Sequence, residues 1–132
     1  MINLSGKVAV VTGGSRGIGA AAAMMLAQAG CRVAITYMSS RKKALRVRDH
    51  IARLGKECLV LRADVTSEGE VRQALRKTIH HFGRVDILVN NAGIWKYGAI
   101  GSMTARQWDE TLDVNLKGAF LFCNEVVRYM KR

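Results

Sequence analysis

The residues best placed for chemistry come early. "VVTGGSRGIG" sets Thr12-Gly13-x-x-x-Gly17-x-Gly19 where a β-branched run gives way to a helix-prone one. Glycines at such a turn let the backbone fold tightly and come close to a ligand. The unpaired N–H groups and dipole of the helix start then attract an anion, above all a pyrophosphate. A tight turn with no ligand uses the same glycines, and the spacing has three residues between the first two motif glycines. Three further stretches carry polar residues at element ends: "RADVT" (62–66), "NNAG" (90–93) and "DVNLKG" (113–118).

The elements that must position these residues alternate. "KVAVVT" (7–12), "RVAITY" (32–37), "ECLVLRAD" (57–64) and "VDILVNN" (85–91) read as strands, apolar almost throughout. Between them lie helical segments. Ala20 to Ala29 is stopped by Gly30. Residues 41–54 carry a seam of Ala44, Val47, Ile51 and Leu54. A third helix opens on a capping box of Ser67 and Glu70, with Val71, Ala74, Thr78 and Phe82 as its seam and Gly83 as its stop. The last helix runs from about residue 105 to the end. Strands apolar on both faces belong to a parallel sheet covered by helices. The expected fold is a Rossmann-like, doubly wound α/β parallel sheet, truncated after four βα units.

Composition bounds the rest. The 132 residues are 49% hydrophobic, enough for one domain. Cys31, Cys58 and Cys123 are scattered and odd in number, which speaks against a disulfide framework or zinc site and for the cytoplasm. No stretch reads as a signal peptide or membrane span. His50, His80 and His81 have no ligand spacing, so no metal is expected. The net charge of +11 admits a nucleic acid, an acidic protein, a phosphorylated cofactor or a merely solvated surface. Cations are densest over 41–56, as the polar face of an amphipathic helix would be. No aromatic residues interleave them and no nucleic-acid motif is present, so no nucleic-acid partner is expected.

Taken in order and spacing, the glycine loop, "RADVT", "NNAG" and "DVNLKG" resemble the short-chain dehydrogenase/reductase family, from about residue 4 onward. The likeness is strongest to the 3-oxoacyl-[acyl-carrier-protein] reductase group and its sugar- and alcohol-oxidising relatives. The resemblance implies that Gly13, Gly17 and Gly19 line the pyrophosphate of a nicotinamide cofactor, with Ser15, Arg16 and Ile18 shaping the loop. Asp64 would bond the adenine amino group, beside the backbone of Val65. Asn91, Ala92 and Gly93 would lie against the adenosine ribose. Asn115 would be catalytic, its backbone carbonyl holding a water of the proton relay, and asparagine is a poor choice for a helix interior on other grounds.

Charge then chooses between cofactors. An NAD enzyme uses an acid at the end of the second strand, whereas a 2′-phosphate needs cations and hydroxyls. Here that position is Tyr37, followed by Met38, Ser39, Ser40 and Arg41, with Arg16 in the glycine loop. NADP(H) is expected.

The family's chemistry also uses a serine, and a tyrosine followed four positions on by lysine. Tyr37 is followed by Arg41 and Tyr97 by Gly101, while the matching position for Tyr129 lies past Arg132. Residues 1–132 are therefore expected to be the N-terminal, cofactor-binding half of such a domain, inactive alone. The parent would be an oxidoreductase acting on a small carbonyl or alcohol, foremost a 3-oxoacyl thioester. A non-catalytic nucleotide-binding or oligomer-forming fragment is the alternative. The last helix has two apolar seams, one of Trp108, Leu112, Leu116, Phe120, Cys123 and Val127 and one of Phe122, Val126 and Tyr129. One should cover the sheet; the resemblance implies that the other helps form a subunit interface, so further strands of the domain and a second subunit are its expected partners, giving a homo-oligomer, with Phe122 and Val126 named as contacts.

Overall fold

The first strand, β1 (Val8–Val11), is β-branched except at Ala9, and each of its side chains is buried. That is the signature of a central strand. The computed structural model, which describes residues 2–131, places it so. The chain continues through α1 (Gly17–Gln28), β2 (Arg32–Tyr37), α2 (Arg41–Arg53), β3 (Cys58–Arg62), α3 (Glu68–Phe82) and β4 (Ile87–Val89). After an irregular stretch come α4 (Ala105–Leu112), a π-helical turn over Asp113–Lys117, and α5 (Gly118–Met130).

The four strands are parallel in the order β3-β2-β1-β4, with Ala9 opposite both Val33 and Ile87. Alternate side chains of β1 enter opposite layers, as the pleat requires. Ala9 and Val11 pack with Ala23, Ile35 and Ile51 beneath α1 and α2. Val8 and Val10 pack with Leu75, Phe122 and Val126 beneath α3 and α5.

The expected elements are all present, with three differences of detail. The third and fourth strands are shorter than the apolar runs 57–64 and 85–91. Beyond β3 the Ala63 N–H still reaches the Tyr37 carbonyl, and then Asp64 turns the chain. Beyond β4 the two asparagines leave the sheet to bond Thr12 and the start of α5. The first helix starts at Gly17 rather than Ala20, behind an extended Arg16 that provides no side-chain cap. The capping box at Ser67 is only half made. Ser67 accepts the Glu70 N–H, but the Glu70 carboxylate turns to Arg62 and the Asp64 N–H. A complete box forms instead at Thr104 and Gln107.

The last helix needs a larger correction. Phe122 (0% exposed) and Val126 (3%) form the seam that meets the sheet and α3, so they are core residues and not the subunit contacts expected of them. Trp108 (58%), Leu116 (65%) and Phe120 (61%) are the exposed ones. Packing against α3 decides which seam turns inward, and periodicity alone cannot.

Candidate cofactor site

In a parallel sheet the carboxyl ends of all strands share one edge. The chain leaves β1 for β2 on one side and accepts β4 on the other, so a crevice opens above β1 where the strand order reverses. The crevice has a volume of about 980 Å³, and it is lined by the loops that follow the four strands and by Glu110, Asp113 and Val114.

Thr12 organises its floor. The buried hydroxyl accepts the N–H groups of Asn91 and Ala92, each at 3.0 Å, and donates to the Val89 carbonyl at 3.4 Å. In return the Asn91 side-chain amide donates to the carbonyls of Thr12 (3.0 Å) and Gly13 (3.1 Å). The "NNAG" turn is thereby locked onto the glycine loop. Gly19 lies against the same amide, and a Cβ there would overlap it and the Gly13 carbonyl. This close approach, more than turn geometry, requires the glycine. The first N–H groups of α1 meanwhile have no side-chain cap and face the loop.

The wall after β3 is held from outside the crevice. Glu70 accepts the Asp64 N–H at 2.8 Å and the Arg62 guanidinium at 3.2 Å. One oxygen of Asp64 accepts the N–H (2.9 Å) and hydroxyl (2.7 Å) of Thr66. The other makes no hydrogen bond among the described residues and is available as an acceptor. Gly118 presses on Val65, where a Cβ would come within 2.6 Å of the valine side chain. The "DVNLKG" and "RADVT" stretches therefore meet directly.

Asn115 sits in the π-helical turn, a feature frequent at functional sites. Its side chain accepts the Ile94 N–H and donates to the Ile94 carbonyl, both at 2.8 Å. The side chain is thus a clamp on the loop after β4, and it does not itself line the crevice. Neither does Gly19, which lies against the Gly13 carbonyl beneath the glycine loop, nor Arg41. Gly13, Ser15, Arg16, Gly17, Ile18, Tyr37, Ser39, Ser40, Asp64, Val65, Asn91, Ala92 and Gly93 all line it.

The acids that border the crevice are Asp64 on one wall and Glu110 and Asp113 on the other. Hydrogen bonds from Arg106 and Lys96 hold the Glu110 carboxyl below the ordinary carboxylate range. The stretch Tyr37–Arg41 itself contains no carboxylate, and Arg16, which lines the crevice, is exposed.

Three contributors escaped sequence reasoning. Thr12 was legible only as part of a motif, and Glu70 only as a helix cap. Thr36 read as an ordinary strand residue. It lines the crevice, is 1% exposed, and its hydroxyl has no hydrogen-bond partner among the described residues.

Comparison with known proteins fits this geometry. The chain is 41% identical over 126 residues to a 3-oxoacyl-[acyl-carrier-protein] reductase of Staphylococcus epidermidis, covering 96% of this chain and 52% of that one. A short-chain dehydrogenase of Burkholderia cenocepacia, solved in complex with NADP, superposes with a TM-score of 0.94 at 42% identity, over 97% of this chain and 52% of that one. A blue fluorescent protein from a metagenomic library, solved with NADPH, gives a TM-score of 0.91 at 38% identity, over 97% and 53%. The chain thus spans about half the length of these relatives. The sequence model of the short chain dehydrogenases matches residues 7–132, nearly the whole chain, and on that match and this fold the protein belongs to the short-chain dehydrogenase family.

Proposed function

We propose that residues 1–132 bind NADP(H) in the crevice, as the cofactor half of an oxidoreductase whose parent reduces a carbonyl, foremost a 3-oxoacyl thioester. The observation that carries the cofactor reading is the pairing of an α1 start with no side-chain cap, lined by Gly13 and Gly17, with Arg16 and a stretch from the end of β2, Tyr37–Arg41, that contains no acid. The residues present fit such a group. Loops from all four strand ends line the crevice, and the buried Thr36 hydroxyl that lines it has no hydrogen-bond partner among the described residues.

In this reading the N–H groups of the glycine loop and α1 hold the pyrophosphate. The free Asp64 oxygen accepts the adenine amino group, with Val65 beside it. Ala92 and Gly93 support the ribose, and Arg16, Ser39 and Ser40, which line the crevice, take the 2′-phosphate; Arg41, expected to join them, lies outside that lining. The nicotinamide supplies the hydride when it is bound. Asn115 clamps Ile94 and so shapes the loop that borders the reacting end, leaving its backbone carbonyl for the water of the relay. The substrate class rests on the similarity to the staphylococcal reductase. Three free thiols favour a reducing compartment, the cytoplasm. No described helix is long and apolar enough to cross a membrane.

A second reading has its own observation. Tyr37 and Tyr97 are not followed four positions on by lysine, so these residues on their own bind nucleotide without turnover. Titration calorimetry with NADPH and NADH tests the binding, and NADPH absorbance with 3-oxoacyl thioesters tests the turnover. NADPH should bind about tenfold tighter than NADH, the worth of one charge-assisted phosphate contact. Equal affinities would sink the cofactor assignment.

A further inference from the structure

Most helical charge in this chain is paired. On α3 Arg72 pairs with Glu68, on α4 Arg106 with Glu110, and in the π-helical turn Lys117 with Asp113, each four residues apart. That is how a solvated helix face is ordinarily built. α2 departs from it. Its exposed cations Arg41, Lys42, Lys43, Arg46 and Arg53 make no ion pair among the described residues. Its one acid, Asp49, is bound to Arg48. The first turn holds Arg41, Lys42 and Lys43 and no acid, against the helix dipole.

Part of this charge forms a stripe. Lys43, Arg46, His50 and Arg53 follow at intervals of three, four and three residues, so they share one face of α2. The Arg53 guanidinium donates to the His50 ring at 3.4 Å, which leaves its other donors free. Beside the stripe a hollow of about 340 Å³ opens toward α1, with Met24 and Val47 as its apolar lining and Lys43, Arg46 and His50 along its polar side. No carboxylate lines it. α1 has no charged residue from Gly17 to Gln28, so nothing across the hollow balances the stripe, and Met25 beside Met24 is exposed.

We propose that the stripe and hollow dock an acidic amphipathic helix of a protein partner. Its carboxylates meet Lys43, Arg46 and Arg53, and one aliphatic side chain enters between Met24 and Val47. Groove binding of this kind anchors a helix by an apolar side chain while complementary charge sets its register. Methionine suits the floor, because its unbranched side chain adapts to a partner's shape. A nucleic-acid backbone would also meet the cations. It brings no aliphatic side chain for the hollow, however, and no aromatic residue lines that hollow to stack a base. The proposal stands apart from the NADP(H) reading and needs no cofactor.

The test is fluorescence anisotropy on the full chain with a labelled helical peptide bearing glutamates spaced to match the stripe around a single leucine. Binding should weaken as salt is raised, and leucine-to-alanine in the peptide should cost about tenfold. Arg46→Glu with Arg53→Glu should also cost about tenfold or more, since two exposed pairs are lost and turned repulsive. A peptide with lysines for glutamates should bind this double variant better than the wild type, which a merely unfolded variant could not do. NADPH binding should be unchanged in it. Polyglutamate binding as tightly as the leucine peptide would reduce the surface to simple ion exchange and overturn the docking site. A DNA duplex binding tighter than the peptide would make it a nucleic-acid surface instead. NADPH affinity that falls together with peptide affinity would overturn it as a separate surface.

Discussion

Thr12 and Asn91 hold each other in both directions: the threonine hydroxyl accepts the asparagine N–H while the asparagine side chain donates to the threonine carbonyl, each at 3.0 Å. Thr12→Val keeps the shape and removes the acceptor, stranding the N–H groups of Asn91 and Ala92. Two such groups left unpaired should lower the unfolding free energy by about 2–4 kcal/mol, read by urea denaturation. Thr12→Ser should keep most of it. A valine variant as stable as the wild type would mean that water replaces the hydroxyl without cost.

At the other edge of the sheet, Asp86 ties β4 to β1. Its carboxylate accepts the Val8 N–H at 2.9 Å and pairs with Arg84 and Lys7. Burial works to raise its pKa, but the Arg84 guanidinium, the Val8 N–H and Lys7 outweigh it and hold the group below the ordinary carboxylate range. A group lowered on folding stabilises the fold above its unfolded pKa, and the contribution is lost as pH falls through the folded value. Asp86→Asn should therefore cost about 2 kcal/mol at neutral pH, with the difference closing below about pH 4. A gap that stays constant down to pH 2 would rule out the charge as its source.

The three cysteines should separate by reactivity. Cys123 is exposed, while Cys31 and Cys58 are buried. Burial pushes the Cys58 thiol up to about 12, against a lowering pull from Arg48, and burial followed by Asp86 raises Cys31. The thiolate is the reactive form. Ellman's reagent at pH 8 should titrate one thiol quickly in the folded chain and all three after denaturation. Two or more fast equivalents in the folded chain would contradict the burial of Cys31 and Cys58.

Trp108, Leu116 and Phe120 leave exposed apolar surface on α4, the π-helical turn and α5. Covering each is worth roughly 1.5–3 kcal/mol, so the chain should self-associate in sedimentation across a dilution series. Phe120→Asp should shift it toward monomer while it stays folded. Phe122→Asp should unfold it, because Phe122 is core. A wild-type chain monomeric at every concentration would remove this surface as a contact.

What could be read in advance was local. The glycine loop and β1 declare themselves because a βα turn is built from neighbouring residues. The alternation of strands and helices follows from periodicity in the same way. The inward seam of α5 was misjudged because two seams have equal period and only contact with α3 separates them. Glu70 looked like the partner of Ser67 three residues away, yet Arg62 and Asp64 offered it a better pair of donors.

The strand order also sets the order of assembly. Ala9 meets Val33 one βα unit away but meets Ile87 only three units later. The β1–β2–β3 layer can close loop by loop, each closure short, whereas β4 must bridge the longest loop in the sheet before any of its bonds form. The crevice above β1 therefore has only one of its walls until that late event. Alanine at Leu88 or Val89 should then speed unfolding and hardly change the folding rate, while alanine at Val33 or Ile35 should slow folding, as stopped-flow chevrons would resolve. Equal effects on both rates would mean that the sheet forms all at once. If assembly is stepwise, the nucleotide meets a finished floor only after the fourth strand has docked, and its binding draws the slowest part of folding to completion.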